Sequence, residues 1–190
     1  MSTECGIAFK EWAVICQALA SGKQTLILRK GGIHEGRDGF RVAHREFWLF
    51  PTYLHQTDRM KLVDEAGLVL DATLLDRHET DSVPLQLLAE VTDVFEITDE
   101  VLLPKLKGMH WWSEQTLKER FHYRNPGLFL LVVRISKLPE IHALENSPHF
   151  AGCRSWVDLP APISTAGLTP VLNELEFATM RAEIRSKVVE

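Results

Sequence analysis

Positively charged and aromatic side chains are concentrated in the segment from Lys23 to Lys61. The segment contains eight Lys or Arg and four acids, so its formal charge is +4, while the whole chain carries −5. A basic surface on an otherwise acidic chain can attract an anionic ligand and still limit non-specific binding. From this segment we select as candidate nucleic-acid contacts Arg29, Lys30, Arg41, Arg45, Trp48, Tyr53, His55 and Gln56.

Each of these residue types can make a different kind of contact with DNA or RNA. The four cations can contact phosphates, which gives an affinity that depends on salt. Trp48 or Tyr53 can stack on a base, a contact worth about 1–3 kcal/mol. His55 and Gln56 carry polar groups that can read the edge of a flipped or modified base. The competing interpretation is that the apolar run Phe47–Phe50, which includes Trp48, belongs to the hydrophobic core.

Two alternative functions rest on other residues. His44, Glu46 and His55 offer imidazole and carboxylate groups for a metal-dependent nuclease or hydrolase, although no HExxH-type spacing supports a metal site. The sequence does not decide whether the protein is an enzyme, and it contains no nucleotide-binding motif that would predict a cofactor. Trp111 and Trp112 would point to opposite sides of a strand, so we expect one of them to be exposed as an anchor for a protein partner or a second copy.

The composition is typical of a globular protein. Its 190 residues are 45% hydrophobic and 25% charged, which suits a single domain. The longest apolar runs, such as Leu128–Val133, are too short to cross a bilayer. Cys5, Cys16 and Cys153 have no paired spacing, which indicates reduced thiols in a cytoplasmic protein without a membrane segment.

Periodicity and capping signals predict three helices. Apolar residues recur at helical spacing over residues 7–20. A second helix is expected over residues 114–121, with Ser113 as its N-cap. The last helix is expected over residues 170–187, because Thr169-Pro170 matches an N-cap followed by proline at the first helical position.

Strands are expected between these helices, without regular alternation. The predicted strands cover residues 25–30, 40–43, 47–50, 83–97, 128–135 and 153–159. This order predicts one α+β domain over residues 1–190, with a core from about residue 7 to 160. Its small mixed or mostly antiparallel sheet should curve into a partial barrel, with the flanking helices packed around it.

Four stretches of the sequence together resemble a known family. They are KEWAV at 10–14, LRKGGI at 28–33, HREFWLFPTYLHQ at 44–56 and GCRSWV at 152–157. Spread over most of the chain, they are similar to the bacterial DUF1802 family of unknown function. The family's association with restriction–modification-type genes implies a nucleic-acid context. The resemblance therefore favours a nucleic-acid-binding module, able to recognise modified bases, in a restriction or defence setting.

A shorter stretch resembles ASCH and related PUA-like domains. Gly22 and Lys23 precede a predicted strand that ends in Arg29, and this looks like the Gly-x-Lys entry of those domains. They are compact β-barrels, several of which bind RNA or modified bases, so the resemblance implies a PUA-like partial barrel. Arg29-Lys30-Gly31-Gly32 stands where an acidic residue paired with Arg would be expected, so the resemblance implies no ASCH-type catalytic role.

Overall fold

The computed structural model describes residues 2–30, 42–53, 81–152 and 154–189. The α-helices in these ranges are α1 (Ala13–Ala20), α2 (Glu114–His122) and α3 (Glu174–Val188). The strands are β1 (Glu4–Trp12), β2 (Leu26–Arg29), β3 (Glu46–Thr52), β4 (Ser82–Ile97), β5 (Leu128–Glu145), β6 (Trp156–Ser164) and β7 (Thr169–Pro170). Short 3-10 turns occupy Glu100–Leu102, Pro104–Leu106 and Pro148–Phe150. Within the described ranges, no helix has both the length and the hydrophobicity needed to span a membrane.

The seven strands form one mixed sheet. Its order is β2-β5-β4-β3-β1-β6, and β7 also pairs with β5. β1 and β3 are parallel, and the remaining pairings among the described strands are antiparallel. The strands β2 and β6 form the two ends of this order and do not pair with each other, so the sheet is open. The predicted α+β fold, with a mixed sheet and flanking helices, is confirmed.

Bulges bend the two longest strands. β4 and β5 pair over most of their lengths, but the register shifts after Leu85 and again after Val91. An extra residue on one strand of a pair bends that strand and increases its local twist. In the folded chain Arg29 of β2 reaches Lys10 of β1, although three strands separate β2 from β1 in the sheet. The sheet is therefore curved, as a partial barrel requires.

Each face of the sheet carries its own hydrophobic core. Successive residues of a strand point to opposite faces, so in β3 Phe47 and Leu49 join the larger core while Trp48 and Phe50 join the smaller one. The helices cover the larger core through residues that include Ile15, Leu117 and Ile184. β6 and the turn at Phe150 close the smaller core.

The predicted helix over residues 7–20 is wrong in its first half. Residues 4–12 form β1, which pairs with β3 on one side and β6 on the other, and the helix begins at Ala13. Ala8 and Phe9 are both fully buried, as expected for a central strand covered on two faces. Pairing with two neighbouring strands overrides the helical spacing of the apolar residues, and this tertiary effect is not visible in the local pattern.

The C-terminal helix begins four residues later than predicted. Thr169 and Pro170 form β7 against Lys137 and Ser136 of β5. Asn173 is the N-cap, and the Asn173 and Glu176 side chains each accept a bond of 2.9 Å from the other residue's backbone N–H. This capping box is written in the sequence as Asn-x-x-Glu, and it is a stronger start signal than the Thr-Pro pair.

Other predicted elements are present with small changes of extent. Strands predicted at 25–30, 47–50, 83–97 and 128–135 correspond to β2, β3, β4 and β5, and β5 continues to Glu145. The Ser113 hydroxyl accepts a 3.1 Å bond from the N–H of Thr116 and caps α2 as predicted. Val42 and Ala43 are not in a strand, whereas the rest of that predicted strand lies outside the described residues.

The last predicted strand continues through two prolines. It was expected over residues 153–159, but β6 begins at Trp156 and runs past Pro160 and Pro162. Within the described ranges β6 pairs only with β1. Proline has no N–H to donate, so it is tolerated on an edge strand such as β6.

Candidate nucleic-acid interface

The guanidinium of Arg29 is turned into the molecule. It lies at the end of β2, donates to the Lys10 carbonyl, and sits 4.1 Å from the centroid of the Phe9 ring. Its Nη2 atom is 3.7 Å from Oε2 of Glu11, with side-chain exposures of 16% for Arg29 and 2% for Glu11. The sequence predicted a phosphate contact for Arg29. In the structure its side chain connects β2 to β1 instead.

Glu11 is a buried carboxylate whose bonding is incomplete. Its Oε1 atom accepts a 2.7 Å bond from the N–H of Trp12. Its Oε2 atom has no hydrogen-bond partner among the described residues, and the same is true of Nε of Arg29. The ion pair compensates two charges that would be costly to bury alone. Glu11 was not among the residues selected from the sequence, although it lies in the KEWAV stretch.

Lys30 binds the end of α2. Its ammonium donates to the carbonyls of Phe121 and Gly127, each at 2.7 Å, and to the carbonyl of Asn125. The last carbonyls of a helix lack partners within the helix and carry partial negative charge, so a cation is favourable there. Burial lowers the pKa of Lys30. The predicted phosphate contact is thus a structural contact that holds the turn after α2.

Two tryptophans and an arginine stack beside the end of β1. The rings of Trp12 and Trp112 have centroids 4.3 Å apart. The Arg120 guanidinium of α2 is 3.9 Å from the Trp112 centroid and 5.2 Å from that of Trp12. A guanidinium over an indole face is an attractive cation–π contact.

The prediction that Trp111 or Trp112 is exposed is wrong. Their residues are 7% and 2% exposed, respectively. They precede α2 instead of alternating along an extended strand, so both rings can turn inward. The backbone N–H of Trp111 donates to Oε1 of the Gln24 side chain, and the backbone N–H of Trp112 donates to Nδ1 of His110. Neither ring is an exposed anchor for a protein partner.

His110, two residues before Trp112, is neutral. Burial, above all, lowers its pKa to about 4. The ring therefore carries no charge at neutral pH. It supports the segment before α2 and does not add to the positive charge nearby.

The turn after α2 carries an aromatic ring and a cation at the surface. Tyr123 is 58% exposed, and the Arg124 guanidinium lies 5.1 Å from its ring centroid. Arg124 has a φ of +64°, which is unusual for a residue with a side chain. The predicted helix ends just before these residues, and neither of them was selected from the sequence. The signal for a surface site here is an aromatic residue placed between basic side chains.

The other residues selected from the sequence do not form one pocket. Trp48 is fully buried and its indole N–H donates to the Cys5 carbonyl at 3.0 Å, so the predicted stacking on a base is excluded in this conformation. Arg45 is exposed just before β3, and the half-buried Tyr53 follows its end. A strand rises about 3.3 Å per residue, which separates these two by roughly 26 Å. The remaining selected residues, Arg41, His55 and Gln56, lie outside the described residues.

Two residues of the alternative metal site, His44 and Glu46, have other contacts in the structure. The His44 ring packs at 5.3 Å against that of Trp156, and Oε2 of Glu46 accepts a bond from the N–H of Ser2. In the part of the chain that the structure describes, no three His, Cys, Asp or Glu side chains are grouped as a metal ion would require. His55 falls outside that part, so the role proposed for it is untested.

Positive side chains lie around the ends of β2 and α2. We use the name cationic end face for Arg29, Lys30, Arg120 and Arg124. Lys10 lies on the other face of β1, where its ammonium donates to the carbonyls of Phe150 and Gly152 and is 5.8 Å from the centroid of the Phe50 ring. The carbonyl oxygens that Lys30 binds satisfy its donors without cancelling its charge. Lys30 therefore contributes a positive potential to this face.

The chain belongs to the DUF1802 family, described as a domain of unknown function, which it matches over residues 8–183. This confirms the resemblance seen in the four sequence stretches. Two of those stretches contribute Glu11, Arg29 and Lys30 to the cationic end face or its ion pair. No curated protein matches the chain at a significant level.

The chain is also similar to solved ASCH structures. With the crystal structure of ASCH from Zymomonas mobilis it shares 12% identity and a TM-score of 0.46, over 93% of each chain. A tyrosine-to-phenylalanine mutant of that protein gives a TM-score of 0.47 at 12% identity, over 93% of this chain and 96% of the other.

Proposed function

We propose that this protein binds nucleic acid through the cationic end face. The observation that carries the proposal is that Arg29, Lys30, Arg120 and Arg124 lie around the ends of β2 and α2 in a chain whose net charge is −5. Lys30 is bound to neutral carbonyls, and Arg124 is exposed. Clustered positive charge supplies much of the affinity for a phosphate backbone. The acidic remainder of the chain limits binding elsewhere on its surface.

The cations have different roles in this proposal. Arg124 is exposed and can reach a phosphate directly. Lys30 is engaged inside the protein, so it acts on the ligand through its field rather than by contact. The charge of Arg29 is compensated by Glu11, and this residue holds β2 in place. Tyr53 stays a candidate for the wall of the site because it follows the strand that is parallel to β1.

Finer features of the function stay predictions. These are the recognition of modified bases by His55 and Gln56, the restriction or defence setting, and the cytoplasmic location. The metal-dependent nuclease or hydrolase that would use His44, Glu46 and His55 is also a prediction. Nothing in the described geometry favours it over binding.

The test is a comparison of single-stranded RNA, single-stranded DNA and duplex DNA by fluorescence anisotropy at several salt concentrations. Arg124→Ala should weaken binding to all sequences. It should also flatten the dependence of log affinity on log salt by about one, as expected when a phosphate contact is lost. Lys23→Ala is the matched control, because this exposed residue lies at the other end of α1 and β2. The affinity of Lys23→Ala for each oligonucleotide should equal that of the wild type.

Three outcomes would contradict the proposal. The first is that none of the oligonucleotides binds the wild-type protein. The second is that Lys23→Ala weakens binding as much as Arg124→Ala, which would indicate a general charge effect. The third is that Arg45→Ala abolishes binding while Arg124→Ala leaves it intact, because this would place the site at the start of β3.

A further inference from the structure

We propose that the turn at residues 123–127 is a platform for one unpaired base, and that Lys30 is the residue that positions it. This inference rests on the proposed function and deepens it by naming the class of ligand. The platform is the ring of Tyr123, which is 58% exposed and has the Arg124 guanidinium beside it at 5.1 Å. An aromatic ring next to a cation offers stacking and charge to the same nucleotide.

The turn is held in one conformation by bonds from two directions. The Gly127 N–H donates back to the Phe121 carbonyl at 3.0 Å, and the Tyr123 N–H donates to the Arg120 carbonyl at 3.3 Å. Lys30 then binds the carbonyls of Phe121, Asn125 and Gly127 together. Its ammonium thus connects the end of α2 to both sides of the turn.

The positive φ of Arg124 depends on this support. A non-glycine residue at φ +64° is less stable than in the usual regions and persists when its surroundings hold it there. The Lys30 ammonium bonds the carbonyl of the next residue, Asn125. Without this cation the turn can relax, and the ring and the guanidinium lose their fixed relation.

An exposed ring selects for single strands. In a duplex the faces of the bases are covered by their neighbours, whereas unpaired bases can be splayed out and stacked on a tyrosine. The ring lies on a turn at the end of a helix. It does not lie on a helix or β-ribbon of the kind that enters a groove of duplex DNA. We therefore expect single-stranded RNA or DNA to bind more tightly than the same sequence in a duplex.

The first experiment uses a single-stranded oligonucleotide with a fluorescent purine analogue whose emission falls on stacking. The wild type and Tyr123→Phe should quench the analogue, because both keep an aromatic ring. Tyr123→Ala should bind about tenfold more weakly, consistent with the loss of one base–ring contact, and should quench it less. Equal quenching and affinity for Tyr123→Ala, or tighter binding to the duplex, would overturn the inference.

The second experiment separates positioning by Lys30 from direct phosphate contact. Lys30→Met should weaken single-strand binding about fivefold, in the range seen for coupled neighbours, and should reduce the salt slope by clearly less than one. In a Tyr123→Ala background the same substitution should weaken binding less, because only the loss of its positive field remains. Lys30→Arg keeps a cation and donors at this position and should restore binding. An additive effect, or a salt slope reduced by about one, would show instead that Lys30 contacts a phosphate.

These results are distinguishable from failure of the proposed function. If the wild type binds no oligonucleotide, the proposed function fails and the platform fails with it. If the wild type binds and Arg124→Ala weakens it, but Tyr123→Ala does not, the binding face stands and the platform is refuted. Thermal unfolding of each variant checks that the fold is intact, and because Tyr123 is exposed its substitutions put the fold at little risk.

Discussion

The cationic end face and the attachment of α3 both depend on arginine and lysine, but they use the charge differently. At α3, the Arg181 and Arg185 guanidinium groups bond the Asp93 carboxylate of β4 at 2.6 and 2.5 Å. Arg134 of β5 makes two bonds to Glu174 at the start of α3. At the cationic end face, Lys30 bonds carbonyl oxygens instead.

The difference shows how the same residue types serve stability or binding. A carboxylate cancels the charge of the arginine it meets, so the contacts of α3 fasten the helix and leave little field outside. A carbonyl binds the donor but leaves the charge, so the end face is both held together and positively charged. One exception among the described residues is the ion pair of Glu11 with Arg29.

The largest effect should come from removing that exception. Glu11→Ala leaves Arg29 buried without its counter-ion and removes the acceptor for the Trp12 N–H. Breaking a buried pair in this way should lower the free energy of unfolding by about 4 kcal/mol. Urea unfolding followed by tryptophan fluorescence measures it. Glu11→Gln, which can still accept from Trp12, should cost less, and equal stability for Glu11→Ala and the wild type would refute this account of the ion pair.

As pH falls, protonation of His110 before α2 should lower the free energy of unfolding before the ion pairs of α3 are affected. The pKa of His110 is about 4 in the folded protein against 6.5 ordinarily, so the unfolded chain binds the proton first as pH falls. Stability is therefore complete above pH 6.5 and decreases between 6.5 and 4, by about 3 kcal/mol in total. Urea unfolding at a series of pH values tests this. In His110→Asn the decrease in this window should be absent, and its persistence would show that another group causes it.

The smallest of these effects concerns α3. Asp93→Asn removes the charge that Arg181 and Arg185 share, and should lower the free energy of unfolding by about 2 kcal/mol, less than a fully buried pair because both arginines are partly exposed. Bonding from Arg181, above all, lowers the pKa of Asp93. The difference between wild type and variant should thus be present above the ordinary value of 3.8 and disappear as pH falls through the lower folded value.

The same variant tests the comparison itself. Asp93→Asn should bind nucleic acid as the wild type does once its lower stability is allowed for, because Asp93 bonds Arg181 and Arg185 of α3 rather than a cation of the end face. If Asp93→Asn binds more weakly than the wild type when both proteins are fully folded, the two regions are coupled.

Several features could be predicted from the sequence because their causes are local. The serine cap and the helical pattern of α2 lie within a few residues of each other, and the apolar run at the start of β5 has the composition of a buried strand. The four stretches that mark the family are likewise contiguous in sequence. One of them contains Arg29 and Lys30, which lie at the end of β2 on the cationic end face.

The roles of those residues depended on contacts that only the folded chain creates. Lys30 bonds the carbonyl of Phe121, 91 residues away, and no local pattern reveals whether a lysine meets a carbonyl, a carboxylate or water. In β3 the strand register placed Trp48 in the smaller core and removed it from the binding site. The sequence by itself determined which segments carry charge and which bury apolar surface. Tertiary structure decided which charges remain uncancelled, because that depends on partners distant in the chain.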